Sequence, residues 1–332
     1  MADERSPTRR TSSGLRAAPR ALVDDLRSEE GPKTSTLVVV AAGGLLVGGA
    51  TAVVDRIFGW PPAARDFGRT PQFLTWLILV CLEVSSWAVG AVYVVRALRK
   101  VGRYGSGQWR EIAIRVSVLV ALMITFAVVS RKVAVHYETV TLPGLTIKTA
   151  VLTVLGAIVA LGAAVAMWLM HAAVQADVVG DDVPDRAQLE QFVARRRLMQ
   201  TLLTIQGAIL GGAILGAGAL RKAILAYDPG ATSSFPQEYI LMYGAFLSGL
   251  VALCYAPTQA AILALGRKLR DRCLTNAPSP HSDAWSGWYA RRKALDEMLG
   301  LDVGPSASLR AGAAILTPLA AGVVGLLLPT SH

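Results

Sequence analysis

The chain has 332 residues, of which 53% are hydrophobic and 17% charged, with a formal net charge of +10. Soluble domains carry about 25% charged residues, and a mean hydropathy of +0.46 argues against one. Apolar runs of span length, not scattered core positions, account for the excess, so the basic charge is read as membrane-orienting and as favouring a bilayer with anionic headgroups, with no nucleic acid as partner.

The first 35 residues are polar and of mixed charge, with Ser, Pro and Gly. This composition predicts a disordered cytoplasmic tail, with a short surface helix over 19–27. The apolar run begins too late for a compact signal peptide, and Arg9-Arg10 lacks the following context of a twin-arginine signal.

Seven apolar stretches follow, at about 36–54, 73–95, 112–130, 149–173, 199–220, 239–265 and 311–328. Each is long enough for a helix to cross a hydrocarbon core of ~30 Å, the first and last being the shortest. The fold class expected is all-α: a polytopic integral membrane helical bundle of about seven spans. Six spans are the alternative. Trp76 and Tyr93 fall near the ends of the second stretch, where interfacial aromatics belong, and Arg115 stands in the first turn of the third.

Charge placement orients the bundle. With the N-terminus inside, 25 Lys and Arg fall on the cytoplasmic side and eight outside. That ratio obeys the positive-inside rule and predicts an N-in, C-out protein of a plasma membrane. Arg outnumbers Lys by 26 to seven, a bias that suits a GC-rich bacterial genome.

Two cytoplasmic loops are long enough to fold. Asp181-Asp182-Val183-Pro184 reads as a helix start, and the helix over 185–198 continues through Arg195-Arg196-Arg197 toward the fifth span. The second helix is expected over 283–301. Trp285, Trp288, Tyr289, Leu295, Met298 and Leu299 fall on one face, with Arg291, Arg292 and Lys293 beside them. This is the pattern of a helix in the membrane interface; a helix packed on the bundle is the alternative.

Glu83 is the most informative residue. It lies near the middle of the second span, where a carboxylate costs about 2.5–3.5 kcal/mol on insertion scales. It must face the bundle interior or water. The functional reading is a proton or cation site; the structural one is a neutral Glu bonded to a neighbouring helix. Gln206, Thr258, Gln259 and Thr317 lie in the cytoplasmic half of the fifth, sixth and seventh spans and could join Glu83 in a polar path. Pro257 and Pro318 each remove a backbone donor, leaving the carbonyls of Leu253 and Ala314 without helical partners. In the opposing reading the prolines merely kink their helices and each polar side chain satisfies a neighbour.

Gly44-x-x-x-Gly48, Gly207-x-x-x-Gly211 and Gly212-x-x-x-Gly216 permit close helix approach. Internal packing is the expected use and homo-oligomerisation the alternative. Cys81, Cys254 and Cys273 form no metal or disulfide pattern, and the four histidines are scattered. No cofactor, metal or catalytic residue is assigned, and enzyme activity is not expected. The leading function is a transporter or channel-like protein. The alternative is a membrane-anchored regulatory protein that binds a cytoplasmic protein partner through its two loop helices.

Overall fold

A computed structural model of the protein describes residues 32–53, 62–102, 109–133, 145–176, 184–232, 236–274, 277–279, 281–301 and 305–327. Every regular element among them is helical. In chain order these are α1 (Thr34–Val53), α2 (Pro62–Gly68), α3 (Pro71–Gly102), α4 (Trp109–Val133), α5 (Leu145–Ala176), α6 (Arg186–Tyr227), a 3-10 turn (Pro229–Thr232), α7 (Gln237–Cys273), α8 (Ala284–Leu299) and α9 (Pro305–Leu327).

Five helices, α1, α3, α5, α6 and α7, are long and apolar enough to cross a membrane. The third and seventh expected spans fall on α4 and α9, and the apolar stretch of α9, Ala311–Gly325, is shorter than the five. Most of the expected tail, including its 19–27 helix, and the 181–183 segment lie outside the described residues.

The surface is apolar where a soluble protein's would be polar. Val38, Val39 and Leu46 of α1, Ile114 and Ile124 of α4, and Ile147, Val154 and Ile158 of α5 are all exposed. Large apolar residues spread around the rim of a helical bundle are compatible with a multi-pass membrane protein, because lipid can cover them and water would not.

The helix α6 is the axis of the bundle. Its 42 residues run about 63 Å at 1.5 Å per residue, twice the hydrocarbon thickness. It therefore joins the expected 185–198 helix and the fifth span into one rod. The start is fixed by a capping box: the Asp185 carboxylate accepts from the Gln188 N–H at 2.7 Å, and the Gln188 side chain accepts from the Asp185 N–H at 3.3 Å. Around it pack α3, α5, α7 and α9, while α1 lies on α3.

Small residues set these spacings. A methyl group on Gly44 would stand 2.5 Å from the Ser85 Cα, and one on Gly207 would stand 2.5 Å from the Ala314 carbonyl oxygen. Both obstacles are backbone, so no rotamer change relieves them. Ser85 Oγ also donates to the Ala41 carbonyl at 3.0 Å, tying α3 to α1. All three glycine pairs thus face neighbouring helices of the same chain.

The loop before α3 contains α2, which the sequence pattern does not announce. Phe67 is fully buried there and meets Phe73 and Tyr227 edge-on at centroid distances of 5.3 and 5.7 Å. This aromatic cluster closes one end of the bundle over α3 and α6.

Candidate functional site

Glu83 sits partly buried on α3 and faces α6, not the outer rim. Its carboxyl lies over a notch left by two glycines. A methyl on Gly216 would stand 2.9 Å from Glu83 Oε2, and one on Gly212 would stand 3.6 Å from Glu83 Cγ. Among the described residues none donates a hydrogen bond to the Glu83 side chain. The Ser86 hydroxyl one turn on donates to the Glu83 backbone carbonyl at 2.7 Å instead. Tyr243 of α7 lies within Coulombic range of the carboxyl. Tyr243 stacks on Phe126, which stacks on Phe246, at centroid distances of 5.4 and 3.9 Å. This aromatic wall brings α4 and α7 together close to Glu83. It escaped the sequence reading, although the spacing of Tyr239, Tyr243 and Phe246 places them on one helical face.

The other expected polar residues point elsewhere. At about 100° per residue, Gly212 and Gly216 face one side of α6, Gly207 and Gly211 a second side centred about 140° away, and Gln206 lies between. Glu83 occupies the first side. Thr317 occupies the second: its Cγ2 would be 2.6 Å from a methyl on Gly211, and its hydroxyl donates to the Ala313 carbonyl of its own helix at 2.8 Å. Gln206 is buried on the third, beside Cys254 of α7, and its side-chain carbonyl lacks a hydrogen-bond donor.

Thr258 belongs to the α5–α7 interface. It is fully buried, and its hydroxyl reaches the Met167 carbonyl of α5 at 3.2 Å and the Cys254 carbonyl at 3.4 Å. Gln259, the next residue, is half-buried. The structure brings Glu83 and Thr317 to the same level of α6 on different faces, and Gln206 and Thr258 to successive turns around Cys254. It does not gather all five about one opening.

Both prolines lie inside continuous helices, Pro257 in α7 and Pro318 in α9. The backbone around Pro318 is used by neighbours. Ala314, whose carbonyl loses its helical donor, presents that oxygen to Gly207, and the Pro318 carbonyl faces Gly244. The Leu319 N–H donates to Ser248 Oγ at 3.3 Å. His171 of α5 lies against the Pro257 carbonyl. Pro257 itself is exposed on the bundle surface.

At the basic end, α8 is held by its C-terminal turn. Leu299 is fully buried, and the Arg196 guanidinium of α6 donates to its carbonyl at 2.9 Å. Arg270 of α7 pairs with Asp296 at 3.0 Å. Gly300 has φ of 60°, the left-handed value that lets its N–H close the helix on Glu297 and Asp296. Further along, Trp285 and Trp288 stack at 5.1 Å, and Arg292 lies 5.5 Å above the Trp288 ring. These three are half-buried, whereas Tyr289 and Arg291 are exposed, as is Met298. The expected single face is therefore divided, with Leu299 against the bundle and Tyr289 and Met298 turned outward.

Among the described residues no cluster of three metal-ligating side chains occurs. Compared with protein-family models, with curated proteins and with solved structures, the chain matches none.

Proposed function

We propose that the protein moves a proton or a small cation across a bacterial plasma membrane, as a transporter or channel-like protein, with Glu83 as the site that takes up the charge. One observation carries the reading: the Glu83 carboxyl projects between helices over Gly212 and Gly216, with no donor from the described residues. A carboxyl retained in a bundle as structural glue is expected to bond to a neighbouring helix, since an unsatisfied polar group there costs several kcal/mol. One left with a glycine notch and no partner suits a group that exchanges its own partner. The separate placement of Gln206, Thr258, Gln259 and Thr317 favours a single carboxyl site over a pore lined by all five. The inward orientation of the basic end rests on the 25-to-eight division of Lys and Arg.

The test is flux. Purified protein in liposomes is given a proton or monovalent-cation gradient, and the parent is compared with Glu83→Gln. Flux that falls at least tenfold in the variant supports the reading. A parent that is silent in sealed, correctly oriented vesicles, or a variant that conducts equally, removes it.

A second reading is supported by α8. Its tryptophans, Arg291 and Arg292 stand at the basic end, and its last turn is clamped to both α6 and α7. A cytoplasmic partner binding there would act on the bundle directly. Loss of partner capture on Trp285→Ala with flux unchanged would favour this reading.

A further inference from the structure

A cleft of about 100 Å3 opens at the basic end of the bundle, between the last turn of α3, the last turns of α5 and the first turns of α6. Gln191, Ala194, Arg195 and Leu198 line one wall, at the i, i+3, i+4, i+7 spacing of a single helical face. Met170 and Ala173 form the floor, and both are buried; Lys100 and Val101 form the opposite wall. Two cations and an amide thus stand around apolar side chains.

Its height matters as much as its chemistry. Leu198 immediately precedes the apolar run of α6, Ala173 closes that of α5, and Lys100 follows that of α3. All three helices leave the hydrocarbon region here, so the opening stands where phosphate headgroups lie. On the apolar side Met170 and Val101 are already covered, and Leu198 is half-buried. A soluble anion leaves Leu198 exposed, whereas the glycerol and upper acyl carbons of an amphiphile can cover it. The volume accepts a headgroup but no whole lipid, whose chains must remain in the bilayer. Basic pockets between transmembrane helices at the cytoplasmic side are physically suited to anionic headgroups.

We propose that this cleft is a binding site for one anionic phospholipid, its phosphate held by Lys100 and Arg195 with Gln191 donating, and its glycerol end against Leu198. The site is separate from Glu83 and holds whether or not that residue carries ions.

The full-length protein, purified in a detergent that preserves lipid, is titrated with phosphatidylglycerol and bound lipids are counted by native mass spectrometry. One tightly retained molecule is expected. Lys100→Ala with Arg195→Ala should weaken retention about thirtyfold, the weight of two cations near a surface phosphate. Ala194→Trp keeps both cations and fills the cleft, and should abolish the tight molecule. Arg291→Ala with Arg292→Ala removes equal charge from α8 and should leave it in place. All three proteins must elute as the parent does on gel filtration. The proposal is overturned if the α8 variant loses the lipid as the cleft variant does, if Ala194→Trp retains it, if phosphatidylcholine is held equally, or if excess inorganic phosphate displaces it.

Discussion

Arg196 and Leu299 are 103 positions apart in sequence, and the guanidinium of one donates to the backbone carbonyl of the other at 2.9 Å. The bond joins the axial helix to the end of α8. A cation at a helix C-terminus is favoured by the exposed carbonyls and the helix dipole. A hydrogen bond from a charged donor contributes about 1.5–3 kcal/mol. Arg196→Ala should therefore free α8 without unfolding the bundle. Hydrogen exchange over 284–301 is expected to accelerate at least tenfold, with α3 and α5 unchanged. Equal protection in parent and variant would show that Arg270 and Leu299 suffice.

The Glu83 notch makes a prediction about volume. Gly216→Val would drive a branched side chain into the carboxyl, since even a methyl there stands 2.9 Å from Oε2. Overpacking of this kind costs about 1–3 kcal/mol. On a Glu83→Ala background the same substitution should cost less by at least about 1 kcal/mol, because the obstacle has been removed. Thermal melts of the four proteins in one detergent give the coupling. Additive losses would mean that Glu83 turns away from α6 in solution.

Thr258 separates hydrogen bonding from packing. Its hydroxyl bridges α7 to the Met167 carbonyl, yet interhelical bonds in membranes average only about 0.6 kcal/mol. Thr258→Val keeps the shape and should lower stability by no more than about 1 kcal/mol. Thr258→Ala also opens a gap at a fully buried position and should lower it further. Equal losses in the two variants would place the whole effect in the hydroxyl.

The first helix offers a test with a native reporter. Cys81 is half-buried beneath α1, its Sγ 3.6 Å from where a methyl on Gly49 would lie. Gly44→Leu would force α1 away from the Ser85 backbone. With Cys254 and Cys273 replaced, labelling of Cys81 by a membrane-permeant maleimide should rise severalfold, while the remaining helices keep their thermal transition. Unchanged labelling would mean that α1 accommodates the larger residue by sliding along α3.

Much of the architecture was legible because hydropathy and glycine spacing are local properties. The helix over 185–198, its passage through Arg195–Arg197, and the glycine faces of α6 can all be read from short windows, whereas the cap itself falls on Asp185, just after the Asp181–Pro184 start that the sequence suggests. Pairing cannot. The spacing of Gly212 and Gly216 indicates a smooth face, but nothing in it names Glu83 as the group that faces it. Depth arithmetic likewise placed Gln206, Thr258 and Thr317 at comparable levels, and it carries no rotation about the helix axis. That missing angle is why Glu83, Gln206 and Thr317 stand on different sides of α6, and Thr258 in the α5–α7 interface. Tyr243 and α2 were missed for a related reason: an aromatic in an apolar run, or a seven-residue helix in a loop, gives too little periodicity to stand out.

The crowding around α6 has a genetic consequence. Every missense change in a glycine codon adds at least a methyl group, and at Gly207 and Gly211 that methyl meets Ala314 or Thr317, at Gly216 the carboxyl of Glu83. Drift is therefore closed in nearly every direction at Gly207, where the obstacle is backbone, and narrowed at Gly211 and Gly216, where a side chain must give way. At the rim, Val38, Leu46 and Ile158 can exchange among apolar types with little effect. Random mutagenesis with selection for folded protein should leave a map in which tolerance falls from the perimeter inward and is lowest along a single helix. The axis of the molecule would then be visible in the pattern of permitted alleles alone.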